Sequence, residues 1–206
     1  MGCNQTSVLI MSAGDASRFD SQTPKQLMQI PGAETVFSRQ LRQIRENGCE
    51  PTVITHNSNI ISVSNKHFIP QHRETLCNSI LSSESLWLER NVIILGDVIF
   101  TKDGIDLVFS TERPVFVVGN EAEIYALSFT RSHAGRVQES LQLAAGYQEN
   151  ASKGKLRYFY KDYTGLPIYG RELERNVLVW LRDETNDIDS MDEYVGIVAR
   201  WNKGNG

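Results

Sequence analysis

A short apolar run, Val8-Leu9-Ile10-Met11, opens into Ser12-Ala13-Gly14, and two cations follow at Arg18 and Lys25. Small residues at the end of a strand let backbone N–H groups close on phosphate oxygens, and Gly14 can take positive φ without steric cost. An arginine fork and a lysine point charge just beyond would neutralise those oxygens. The order strand, small-residue turn, Arg, Lys therefore suits a nucleoside triphosphate. The competing reading is an ordinary strand–turn with two solvated basic residues. Neither of the better-known phosphate loops is present. There is no G-x-x-x-x-G-K-[ST], and only one glycine of G-x-G-x-x-G is found.

Two acidic positions complete the candidate chemistry. Asp97 lies inside Ile93-Ile94-Leu95-Gly96-Asp97-Val98-Ile99-Phe100, where a carboxylate is costly unless it is paired or holds a metal. Alternatively, the strand ends at Leu95 and Gly96-Asp97 is a solvated turn. The second group is Asp183-Glu184-Thr185-Asn186-Asp187-Ile188-Asp189-Ser190-Met191-Asp192-Glu193-Tyr194. Here Asp189 or Ser190 could cap a C-terminal helix, with Asp192 and Glu193 favoured in its first turn. Asp189 could equally join Asp97 on a magnesium ion, which needs only one or two protein carboxylates besides phosphate oxygens and water.

The elements that must position these residues alternate. Strands are expected at Val8–Met11, Thr52–Thr55, Val92–Leu95, Val115–Val118, Ile124–Phe129 and Val177–Leu181, several of them continuously apolar, as buried strands are. Helices are expected at Glu34–Asn47 with a stop at Gly48, and at Thr75–Arg90, Arg136–Ala145 and Met191–Trp201. Alternation predicts a three-layer α/β/α domain with a mostly parallel mixed sheet and a Rossmann-like nucleotide-binding half. Such sheets bind ligands beyond the C-terminal ends of their strands, where Gly14, Asp97 and the last acidic group all fall. Gly146–Asn176 breaks the alternation: it is polar yet carries Tyr147, Tyr158, Phe159, Tyr160, Tyr163 and Tyr169. It reads either as an irregular excursion whose aromatics cover core, or as a lid or acceptor-binding insertion over residues 146–176.

Composition narrows the class. At 206 residues, 40% hydrophobic and 22% charged, the chain reads as one globular domain, 1–206. A net charge of −4 with scattered basic residues argues against a nucleic-acid partner. Cys3, Cys49 and Cys77 are odd in number, which predicts free thiols in a reducing, cytoplasmic setting. Met1-Gly2-Cys3-Asn4-Gln5-Thr6 carries an N-myristoylation pattern, but Val8 already opens a strand and leaves little tether, so no membrane partner is expected. A homodimer is compatible with the sequence and not specified by it.

Together these motifs resemble the nucleotidyltransferases of the GT-A-like superfamily (sugar-phosphate, phosphocholine and molybdenum-cofactor nucleotidyltransferases, the NTP-transferase domain). Met11-Ser12-Ala13-Gly14-Asp15-Ala16-Ser17-Arg18-Phe19 and Pro24-Lys25-Gln26-Leu27 are similar to that family's L-x-A-G-x-[GSA]-[ST]-R-[MFL] and P-K-x-L, with Ala16 where most members carry glycine. Thr75-Leu76-Cys77-Asn78-Ser79-Ile80 resembles its helix start near base and ribose, Gly96-Asp97 its first metal-binding motif, and Asp187–Tyr194 its C-terminal E-I-D-T-x-E-D-Y. The resemblance implies transfer of an NMP group from an NTP, with a lean to CTP, onto a phosphorylated small molecule, releasing pyrophosphate. It implies nucleotide binding by Ser12, Ala13, Gly14, Ser17, Thr75 and Ser79, catalysis by Arg18 and Lys25, and Mg2+ on Asp97 and Asp189. The rivals are a GT-A-type glycosyltransferase, with Asp187-Ile188-Asp189 as its D-x-D, and a nucleotide-sensing module without turnover.

Overall fold

A computed structural model of the chain describes residues 5–13, 23–120, 123–149, 156–169 and 172–204. The strands are β1 (Thr6–Met11), β2 (Gln29–Ile30), β3 (Glu34–Thr35), β4 (Thr52–Ile54), β5 (His67–Phe68), β6 (Arg90–Leu95), β7 (Val98–Ile99), β8 (Val115–Gly119), β9 (Ile124–Thr130), β10 (Leu178–Trp180) and β11 (Asn186–Asp187). The helices are α1 (Val36–Glu46), α2 (Ser58–Val63), α3 (Leu76–Ser82), α4 (Lys102–Ser110), α5 (Ala134–Glu149), α6 (Leu156–Tyr163) and α7 (Met191–Gly204). All six strands expected from the sequence are present, with ends displaced by no more than two residues.

Seven strands form one sheet in the order β10-β8-β9-β6-β1-β4-β5. β9 runs antiparallel to both of its neighbours, and every other pairing in the sheet is parallel. Successive side chains of a strand face opposite ways, and the packing follows that alternation. Leu9, Ile93, Val117 and Leu127 pack with Cys77 and Ile80 of α3, Val137 and Leu141 of α5, and Leu156 and Phe159 of α6. Val8, Ile10, Val92, Ile94, Phe116 and Val118 pack on the other face with Phe37, Leu41 and Ile44 of α1 and with Ile105 and Val108 of α4. These are the three layers. A smaller core of Ile30, Val36, Ile99, Ile188 and Ile197 joins β2, α1, β7 and α7.

Three expectations are corrected. The helix begun at Thr75 ends at Ser82, because Ser83 turns its hydroxyl back to the Ile80 carbonyl at 2.6 Å, and a 3-10 turn over Glu84–Leu86 follows. The stretch 146–176 is not wholly irregular, since Leu156, Phe159 and Tyr160 share one face of α6 and are buried. Cys77 is a buried thiol outside any disulfide, but Cys49 is disulfide-bonded. Among the described residues no helix is long and apolar enough to cross a membrane.

Candidate active site

β1 and β6 run side by side and end together, pairing Met11 with Leu95. Beyond that point the chains nearly touch: the Gly96 N–H donates to the Met11 carbonyl at 2.9 Å. A Cβ on Gly96 would lie 2.1 Å from Ser12 Oγ and 2.8 Å from the Met11 carbonyl oxygen, so only glycine fits. Strand β6 therefore stops at Leu95 and Gly96-Asp97 is a turn, as the second reading of this run has it, but the Asp97 carboxylate is paired, as the first reading requires, and not solvated. That turn is clamped from α1. Gln40 Nε2 donates to the Leu95 carbonyl at 2.8 Å and to the Val98 carbonyl at 2.7 Å, bracketing Asp97. Gln43 and Arg39 both donate to the Phe100 carbonyl, one turn of chain further on.

Past the turn, β7 pairs antiparallel with β11, placing Asp187 opposite Val98, and the Ile188 N–H donates to the Asp97 carbonyl at 3.1 Å. Ile188 is buried in the smaller core, so its neighbours Asp187 and Asp189 are turned away from that core. Ser190 caps α7, accepting from the Glu193 N–H at 3.2 Å, while Glu193 accepts from the Asp189 N–H at 2.9 Å. The last strand is also held from the main sheet. The Tyr125 hydroxyl accepts from Asn120 Nδ2 at 2.8 Å and donates to Asn186 Oδ1 at 3.1 Å. Burial first, and then the Asp187 carboxylate, hold the Tyr125 phenol well above its usual range.

Lys25 enters from a third direction. Pro24, extended at φ −53° and ψ 136°, leads into a single 3-10 turn over Lys25–Leu27, and the β2–β3 hairpin follows. The Tyr194 hydroxyl of α7 donates to the Gln29 carbonyl, tying this hairpin to the last helix. Lys25 Nζ lies 2.5 Å from Asp97 Oδ2 and 3.7 Å from Asp189 Oδ1, and it donates to the Ile188 carbonyl at 2.9 Å. Its side chain is 14% exposed. Burial alone would lower the ammonium pKa, but Asp97 above all, then Asp189 and Asp187, reverse that and raise it.

Three residues singled out from the sequence, Lys25, Asp97 and Asp189, thus converge. Ser12 and Ala13 are buried at the end of β1, beside the Gly96 turn. The Ser12 hydroxyl has no hydrogen-bond partner among the described residues. Thr75 precedes α3 and Ser79 lies on it. The Thr75 side chain caps that helix by accepting from the Asn78 N–H, and Ser79 is buried. Gly14, Ser17 and Arg18 lie outside the described residues.

Two positioning residues escaped the sequence reading. Gln40 shares the inward face of α1 with Phe37, Leu41 and Ile44, and a polar group at such a position must find partners. Thr55, fully buried at the end of β4, donates to the Ser12 carbonyl at 2.9 Å and fixes the exit of β1. Of the cations in 146–176, Lys161 is buried on the Glu172 carbonyl, and Lys153 and Lys155 lie outside the described residues. Arg157 lines a small cavity with Asn120, Glu123 and Tyr160.

The donors gathered around Lys25 Nζ are two carboxylates and a carbonyl, all hard oxygens already drawn toward one cation. That set fits magnesium, which keeps several waters and takes phosphate oxygens for its other positions. Among the described residues, no group of three or more His, Cys, Asp or Glu side chains is arranged to hold a metal.

No protein-family model matches the sequence. No curated protein matches it closely enough to count as a relative. Solved structures do match. CTP:phosphocholine cytidylyltransferase from Streptococcus pneumoniae superposes with a TM-score of 0.65 at 15% identity, covering 96% of this chain and 99% of that one. A UDP-glucose pyrophosphorylase complexed with UDP-glucose gives 0.68 at 12% identity, covering 97% and 99%. The inositol-1-phosphate CTP transferase from T. maritima gives 0.58 at 13% identity, covering 96% of each chain. From its first strand to its last helix, the chain therefore has the NTP-transferase-like fold that these nucleotidyltransferases share.

Proposed function

We propose that the chain is a magnesium-dependent nucleotidyltransferase that moves an NMP group from an NTP to a phosphorylated small molecule and releases pyrophosphate. The observation that carries this reading is the meeting of Lys25, Asp97 and Asp189 at the strand ends where such sheets bind ligands. The nucleotidyltransferase names of the structural neighbours support it. CTP is the favoured nucleotide, from the Pro24-Lys25-Gln26-Leu27 motif and the Thr75–Ile80 helix start, and two neighbours are named for CTP.

The chemistry asks little of a general base. A phosphate monoester has its second pKa at about 6, so the acceptor is already largely dianionic near neutral pH. The obstacles are repulsion between two anions and charge building on the leaving pyrophosphate, and placement with electrostatics lowers both. Lys25 stabilises the α-phosphate. Arg18 and the Ala13–Ser17 backbone receive the pyrophosphate. Asp97 and Asp189 hold magnesium, which when bound neutralises phosphate charge and polarises the phosphorus. Gln40 and Thr55 keep the two strand exits in register while this happens. The acceptor approaches from the side of 146–176, where Arg157 lines the small cavity with Asn120, Glu123 and Tyr160.

The test is pyrophosphate release from each of the four NTPs against a panel of sugar phosphates and phospho-alcohols. Release that needs an acceptor supports the reading. Hydrolysis of a sugar nucleotide without pyrophosphate would point to the glycosyltransferase, and tight NTP binding with no release to the sensing module.

A further inference from the structure

Lys25 is tied to the two carboxylates that the proposed reaction assigns to magnesium, not held out toward a phosphate. Its ammonium contacts Asp97 at 2.5 Å and the Ile188 carbonyl at 2.9 Å, with Asp189 at 3.7 Å. A divalent ion shared by Asp97 and Asp189 would need the space that Nζ fills. We propose that Lys25 is the resident counter-ion of this carboxylate pair in the nucleotide-free protein, and that metal and nucleotide bind cooperatively because the triphosphate gives the displaced ammonium a new partner. The inference rests on the nucleotidyl-transfer reading and adds a second role for Lys25, control of metal access.

Charge accounting supports the exchange. Without nucleotide, a metal that enters neutralises both carboxylates and leaves Lys25 a cation beside a dication, mostly buried and unpaired, which is unfavourable. With a triphosphate present, the lysine moves on its flexible stem to phosphate oxygens, and every charge remains matched. Metal and nucleotide therefore raise each other's affinity, and the coupling is reciprocal. The surrounding frame need not move. Asp97 is held by the Gln40 clamp and Asp189 by the cap of α7, so exchange requires only that one side chain change partners. It also gives the reaction a safeguard: the ammonium reaches the α-phosphate only when the metal has taken its place.

The test is Mn2+ binding to the nucleotide-free full chain, read from the electron paramagnetic resonance signal of free Mn2+. Lys25→Met, similar in length and uncharged, should bind Mn2+ about tenfold tighter than wild type or better, since removing one nearby positive charge at protein-like dielectric is worth at least that. Adding Asp97→Asn to Lys25→Met should abolish the gain. Equal or weaker binding by Lys25→Met overturns the proposal. Wild-type protein supplies a second measurement that needs no variant to fold. Acylation of Lys25 by an activated ester, followed by mass spectrometry, should be slow without metal and quicken when saturating Mg2+ is added without nucleotide. An acylation rate indifferent to Mg2+ overturns the proposal as well. The two readings fail separately. Tighter Mn2+ binding by Lys25→Met, with no pyrophosphate release from the wild-type protein, keeps the exchange and removes the reaction, whereas wild-type turnover without tighter Mn2+ binding by the variant removes the exchange alone.

Discussion

Gln40→Met tests whether the turn carrying Asp97 is held from α1. The substitution keeps the volume and the apolar stem but deletes two N–H donors, those reaching the Leu95 carbonyl at 2.8 Å and the Val98 carbonyl at 2.7 Å. At about 1 kcal/mol net per neutral hydrogen bond, the loss is about 2 kcal/mol. Two effects modify it in opposite directions. A carbonyl left buried without a donor adds to the loss, whereas the Gln40 Oε1, which lacks a partner among the described residues, disappears with the amide. For a chain of this length each kcal/mol moves Tm by roughly 2–4 °C, so Tm should fall by about 4–8 °C. Gln40→Glu should be worse, because it aims an acceptor at two carbonyl oxygens. The diagnostic part is kinetic. Once the clamp is gone Asp97 is no longer fixed, so kcat for pyrophosphate release should fall while the KM for NTP changes less. Circular dichroism melting and steady-state assays on the same preparations decide. A Gln40→Met protein within about 0.5 kcal/mol of wild type, with unchanged kcat, would refute the reasoning.

Asp97→Asn and Asp189→Asn should each abolish Mg-dependent pyrophosphate release with the circular dichroism spectrum unchanged, and Asp187→Asn should be milder; equal severity at Asp187 would favour the D-x-D reading. Gly96→Ala should cost about 1–3 kcal/mol in chemical denaturation, because the new methyl meets the Met11 carbonyl and Ser12. Lys25 has its pKa raised by folding, so its contribution to stability is fully present below its ordinary value of 10.5 and fades as pH climbs through the raised one. Lys25→Met should therefore flatten the alkaline limb of the stability curve above that pH, and an unchanged limb in denaturant titrations would contradict the ion pair.

Much of this architecture was legible because burial on both faces writes continuous Val and Ile runs, and those six runs became six of the seven strands of the sheet. The two-residue strands were not. β7 and β11 are too short to show a period, and they pair across a long sequence separation because Ile99 and Ile188 share a small core. α6 was hidden by a different cause. Its polar residues dominate the composition, while its buried positions, Leu156, Phe159 and Tyr160, are spaced for a helix inside a segment rich in turn-formers. At the site, Lys25, Asp97 and Asp189 announced themselves as charges near strand ends. Gln40 did not, because a glutamine within a helix looks like any solvated residue until its face is known. Gly96 was read as half of a metal motif, when its immediate physical duty is to let β1 and β6 close on each other.

Whether Lys25, Asp97 and Asp189 form a centre that transfers a nucleotidyl group is decided by where the phosphorus goes. The most direct test follows phosphorus itself: the protein is incubated with Mg2+, a phosphorylated acceptor panel, and CTP or another NTP labelled with 32P at either the α or the γ position. The α-label should appear in an acceptor-linked product and the γ-label should leave only as pyrophosphate, and Asp97→Asn should show neither. Transfer of γ-label to the acceptor, or α-label transfer that survives in Asp97→Asn, would contradict nucleotidyl transfer at this centre.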